Sequence, residues 1–94
     1  MLPPAKHTLV LGRANADAAA DLDIDLSPYQ AYRLGVSRKH AHMVRFQESL
    51  LITDLGSANG TFVNGQRLEP HQRRILHDGD EVCLGQLVAR VYFT

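Results

Sequence analysis

Apolar residues in this chain come in short runs broken by Gly, Pro, Asn and Asp, and no helical spacing persists long enough to build a helix. The pattern predicts strands at His7–Leu11, Asp21–Leu26, His42–Phe46, Leu50–Leu55, a short one at Phe62–Val63, then Gln66–Leu68, Glu81–Leu84 and Leu87–Phe93. Asp21-Leu22-Asp23-Ile24-Asp25-Leu26 alternates carboxylate with aliphatic, so an extended chain there would turn its aliphatics inward and its carboxylates to water. His42-Met43-Val44 alternates poorly, and a bulge is expected. Gln47-Glu48-Ser49 and Asp78-Gly79-Asp80 read as turns, and Asn64-Gly65 is a strong signal for a two-residue hairpin. Ala14–Ala20 reads as loop, Tyr29–Gly35 as a surface connection offering Tyr29, Tyr32 and Arg33 to a partner, and Glu69–Arg74 as a polar connection. Short strands at close intervals predict an all-β fold, a sandwich or barrel.

At 94 residues, 45% apolar and 21% charged, the chain is expected to form one domain, residues 1–94, with its core within about 7–93. The formal net charge is zero, so nothing in the overall field favours nucleic acid or an anionic membrane, and any anion must be captured locally. One cysteine, Cys83, excludes an internal disulfide, and its apolar neighbours predict a small core residue. The opening MLPPAKH lacks the apolar centre of a signal peptide, and no run is long enough to cross a bilayer as a helix, so the cytoplasm is the expected location.

Two stretches carry candidate chemistry. Asp54–Gly65, DLGSANGTFVNG, reads as strand, exposed loop, short strand and turn, with Gly56 and Gly60 freeing the backbone and Asn59 offering its amide outward. Val36–Ala41, VSRKHA, places a hydroxyl and two cations just before a strand, which suits a local anion site.

Gly12-Arg13, Ser37-Arg38-Lys39-His40-Ala41, Asp54–Gly65 and Asp78–Gly85, in that order, make the chain resemble a forkhead-associated (FHA) domain from about Leu9 to Phe93. The resemblance implies an FHA/SMAD-like β-sandwich of mostly antiparallel strands with binding loops at one end. It also implies a module in Ser/Thr kinase signalling that recognises phosphothreonine in an extended peptide, without catalysis. Under it, Arg13 pairs with the phosphate through its fixed fork of donors, Ser37 donates its hydroxyl or amide, Arg38 adds a cation, and Asn59 bonds the peptide main chain. His40 braces the loop from behind, and Gly12, Gly60 and Thr61 shape the loops. Ala58 stands where several relatives carry Thr, Gly35 where some carry a selectivity-determining side chain, and the Ala14–Gly35 segment is longer than in most relatives.

Other readings of these residues carry less. His40 and His42 lack a third ligand at structural-metal spacing, and His71 and His77 sit in polar connections. The Asp21, Asp23, Asp25 row runs along an extended chain, whereas a calcium site gathers ligands from a loop. No cofactor motif or P-loop is present. The expected partner is a phosphothreonine protein or peptide bound by a monomeric domain, with no nucleic acid, membrane, metal or cofactor. The alternatives are a phosphate-independent scaffold or oligomerisation module on the same fold and, third, a phosphohydrolase, for which no nucleophile-base pair stands out.

Overall fold

The computed structural model describes residues 8–14 and 22–93. His7, Asp21 and most of the Ala14–Ala20 loop lie outside them. The elements are β1 (Thr8–Gly12), β2 (Ile24–Asp25), a 3-10 turn (Ser27–Tyr29), β3 (Ala41–Phe46), β4 (Ser49–Asp54), β5 (Thr61–Val63), β6 (Gln66–Arg67), β7 (Arg73–Leu76), β8 (Asp80–Leu84) and β9 (Leu87–Val91). They form two sheets, β2-β1-β3-β4-β7 and β6-β5-β8-β9, antiparallel except for the β1–β2 pair. This is the all-β sandwich that the hydrophobic pattern predicts.

Period-two patterning places the core. Leu11, Ala41, Ile52 and Leu76 from one sheet meet Val63, Val82, Leu84 and Leu87 from the other, all buried. Ile52 is fully enclosed, and each such aliphatic contributes roughly 1.5–3 kcal/mol by leaving water. Asn64 and Gly65 both adopt positive φ, 49° and 82°, as a two-residue hairpin with the twist of its flanking strands requires.

Several expectations need correction. The β3–β4 register runs unbroken from Ala41 opposite Asp54 to Phe46 opposite Ser49, with no bulge, because six consecutive pairs outweigh imperfect alternation. The predicted Asp21–Leu26 strand shrinks to Ile24–Asp25, and Ile24 stays 36% exposed at the sheet edge. Its carboxylates do not simply face water, since Asp23 accepts the Val10 N–H at 2.8 Å and Asp25 accepts those of Ala14 and Ser27 at 2.9 Å. The Ala14 N–H, foremost among these partners, holds the Asp25 carboxyl below its ordinary pKa.

The Glu69–Arg74 connection gives up its end to β7, an edge strand whose Arg-Arg-Ile-Leu sequence buries only Leu76. Ala31 is fully buried within the Tyr29–Gly35 connection. Cys83 lies half-exposed on the outer face of β8, opposite Phe62 and Val88, rather than in the core. Burial, followed by the charge of Glu81, pushes its thiol pKa up.

Candidate functional site

One end of the sandwich collects the loops after β1, before β3, between β4 and β5, and between β8 and β9. Gly12 makes their approach possible: a Cβ there would lie 1.9 Å from the Arg38 carbonyl oxygen, so any side chain would force the first two loops apart. The Arg13 N–H donates to Ser37 O at 3.3 Å and joins them. Arg13 also donates its Nε–H to Val36 O at 2.8 Å, and its guanidinium lies 4.9 Å from the centre of the Tyr32 ring. The side chain is thus fixed at its neck and on one face, which leaves the terminal nitrogens for an anion.

His40 is fully buried behind this loop. Its Nδ1 accepts the Ser37 N–H at 3.0 Å and its Nε2 donates to Gly60 O at 2.8 Å, which assigns the neutral Nε2–H tautomer. Burial lowers its pKa, and the opposing influences of the Gly60 carbonyl and the Asp54 carboxylate do not reverse the shift. Gly60 O also accepts the Gly85 N–H at 2.9 Å, tying in the β8–β9 turn.

Asp54, which in the sequence only opens the Asp54–Gly65 stretch and carries no role of its own, organises the β4–β5 loop. Its buried carboxylate accepts N–H groups from Gly56 at 3.0 Å and Ser57 at 3.1 Å, and hydroxyls from Ser57 and from Thr61 at 2.7 Å. Burial works to raise its pKa, but these hydrogen bonds outweigh it and the net shift is downward. Ser57 Oγ in turn accepts the Gly60 N–H at 3.0 Å, and Gly56 and Gly60 adopt φ of 76° and 89°. The signal for this hub was the Asp-x-Gly-Ser order, since a short carboxylate readily captures main-chain N–H groups two and three residues ahead.

The loop so formed meets the other two. Ala58 N–H donates to Ser37 Oγ at 3.1 Å, and Asn59 Nδ2 donates to Gly35 O at 2.9 Å. Arg13, Ser37, Arg38 and Asn59 therefore share one end of the molecule, with Gly12, His40, Gly60 and Thr61 beneath or between them. Arg38 and Lys39 are exposed there. A groove of about 400 Å³ opens beside Asn59, lined by Arg33, Leu34, Gly35, Phe62 and Gln86 among others. Tyr32, expected as an exposed residue available to a partner, is exposed and also carries the Arg13 guanidinium over its ring. Among the described residues no group of three His, Cys, Asp or Glu is placed to hold a metal ion, and no helix is long and apolar enough to cross a membrane.

Comparison with known proteins identifies the family and the fold. The family model described as FHA domain matches residues 9–85. Protein FraH of Nostoc sp. is 34% identical over 85 residues, covering 90% of this chain and 28% of that protein. The oxoglutarate dehydrogenase inhibitor of Corynebacterium diphtheriae is 33% identical over 94 residues, covering 89% of this chain and 64% of that protein. The chain thus spans less than two thirds of either relative. A solved chain from a structural and functional analysis of phosphothreonine-dependent FHA domain interactions superposes with a TM-score of 0.74 at 29% identity, covering 95% of this chain and 79% of that one. By family match and fold together, the chain belongs to the FHA domain family of phosphothreonine-dependent interaction modules.

Proposed function

We propose that this domain binds a phosphothreonine in an extended segment of a partner protein, with Arg13, Ser37, Arg38 and Asn59 as the contacting residues. The observation that carries the assignment is the way internal hydrogen bonds fix Arg13, Ser37 and Asn59 while leaving outward donors and an acceptor. Arg13 spends Nε on Val36 O and keeps both terminal nitrogens. Ser37 Oγ accepts from Ala58 and keeps its own proton to donate to a phosphate oxygen. The Ser37 amide is already engaged by His40, so the hydroxyl is the donor that remains. Asn59 uses one Nδ2 hydrogen on Gly35 O and keeps Oδ1 for a peptide N–H. Gly12 and Thr61 set the loop spacing, and His40 and Gly60 link the loops from below.

Holding groups in place before binding reduces the ordering cost. A few charge-assisted hydrogen bonds of about 1.5–3 kcal/mol each, less the cost of ordering a peptide, give an affinity near the micromolar range, about 8 kcal/mol. Such affinity suits reversible kinase signalling in the cytoplasm. Ser37 and His40 do not form a nucleophile-base dyad, since the imidazole Nδ1 is taken by the Ser37 amide and not by its hydroxyl. That supports binding without turnover.

The test is a titration against an oriented phosphothreonine peptide library, with phosphoserine and unphosphorylated counterparts. Selective micromolar binding that weakens more than about tenfold in Arg13→Ala, as losing charge-assisted bonds requires, is the expected result. Folded protein that binds no pool, or binds phosphorylated and unphosphorylated peptides alike, would instead favour phosphate-independent assembly.

A further inference from the structure

The net charge of zero hides an uneven distribution. Arg67, Arg73 and Arg74 line a groove of about 330 Å³ between β6 and β7, and Glu69 is the one carboxylate in its lining. None of the three arginines forms a salt bridge within 4.0 Å among the described residues, and Arg74 alone feels a nearby carboxylate, that of Asp80, whose pKa is lowered chiefly by the His77 N–H and in small part by Arg74. Two are nevertheless held in place: Arg67 lies over the Phe62 ring at 5.8 Å, and Arg74 Nη1 donates to Gln66 Oε1 at 2.8 Å. Arg73 is exposed.

The groove adjoins the proposed phosphothreonine loop. A Cβ on Gly60, next to Asn59, would come within 2.9 Å of Arg67 Nε, so this cation lies directly against the β4–β5 loop. The groove's walls are also sheet edges, because β6 and β7 each terminate a sheet. Edge strands present unpaired main-chain groups to an extended peptide, while charged side chains keep them from pairing indiscriminately. Guanidinium forks in such a place match carboxylates well.

We infer that this groove is a second docking site, one that takes an acidic, extended segment rich in Asp or Glu. Its place beside the main site rests on the phosphothreonine reading; its own chemistry does not. A partner carrying both features would engage the two sites together, so that modest contacts in the groove add to the affinity of the phosphate.

The test uses the 94-residue chain and the double variant Arg73→Gln/Arg74→Gln. The probes are a phosphothreonine peptide with neutral flanks, the same peptide with an Asp run on either side, and an unphosphorylated acid-flanked peptide. In the unsubstituted protein an acidic flank on one side should tighten binding about three- to tenfold, the scale of a few exposed ion pairs, and the gain should shrink with salt. The double variant should lose that gain and bind the neutral-flank peptide as before, which also shows that it is folded. Equal affinity with and without the acidic flank, or a gain that survives in the variant, overturns the groove. Failure of every phosphothreonine peptide would refute the main reading alone. In that case, unphosphorylated acidic peptide binding the unsubstituted protein and not the variant upholds the groove, and its binding both or neither overturns it.

Discussion

The guanidinium of Arg13 lies 4.9 Å from the centre of the Tyr32 ring, although Tyr32 is itself 80% exposed. An exposed tyrosine here acts as a platform: it favours the cation electrostatically and blocks rotations that would swing Arg13 away from the loops. Replacing Tyr32 by Ala should weaken phosphopeptide binding by about two- to fivefold, the scale of an exposed cation–π contact. Tyr32→Phe keeps the ring face and should bind normally. Calorimetric titration of both variants checks this, and equal losses in Phe and Ala would show that the hydroxyl, not the ring, matters.

His40 makes fold stability depend on pH. It is buried and neutral, and its folded pKa lies below the unfolded value of 6.5. As pH falls below 6.5 the unfolded chain takes up this proton first, so the stability that His40 contributes is lost on acidification until the folded pKa is passed. The melting temperature of the free domain should therefore fall from pH 7.5 to pH 5. His40→Gln retains an acceptor and a donor but cannot titrate, so its melting temperature, though lower at neutral pH, should vary less. An equally steep pH profile in the variant would place the dependence elsewhere.

Asp54 gathers four hydrogen bonds in a buried position, from Gly56, Ser57 twice and Thr61. In Asp54→Asn one oxygen becomes an NH₂ facing donors, which should cost about 2–3 kcal/mol in urea unfolding and loosen the loop bearing Asn59. The stability associated with ionised Asp54 is present above its unfolded pKa of 3.8 and is lost as pH falls through its lower folded value. Asn that unfolds at the same urea concentration as Asp would show that this carboxylate is dispensable.

Two glycines separate steric from conformational cost. Gly65 has φ of 82° with nothing within 4 Å of a notional Cβ, so Gly65→Ala should cost only backbone strain, about 1 kcal/mol. Gly12 faces the Arg38 carbonyl oxygen at 1.9 Å from such a Cβ, so Gly12→Ala must displace main chain. It should cost clearly more and weaken phosphopeptide binding as well, because the displaced loop carries Ser37. Denaturant unfolding and peptide titration of both variants would read the difference, and equal effects would contradict it.

Local sequence determined a large part of this protein. Asn64-Gly65 specified its hairpin because few residues other than Asn and Gly accept consecutive positive φ. Short apolar runs bounded by turn residues set the strands Ser49–Asp54 and Asp80–Leu84. The ordered motifs around Arg13, Ser37 and Asn59 carry the family resemblance, and folding brings their loops together. Tertiary structure decided what no window along the chain contains. Arg73–Leu76 became a strand because β4 supplied its partner groups, and Cys83 fell on the outer face because the β5–β8 register put it opposite Phe62. Arg13 met Tyr32, and Arg67 settled against Gly60, only when separate loops and edges came together. The physical division is one of range: turn chemistry and strand period depend on neighbouring residues, whereas cation–π contacts, buried hydrogen-bond hubs and edge pairing depend on groups that only folding brings within a few ångströms.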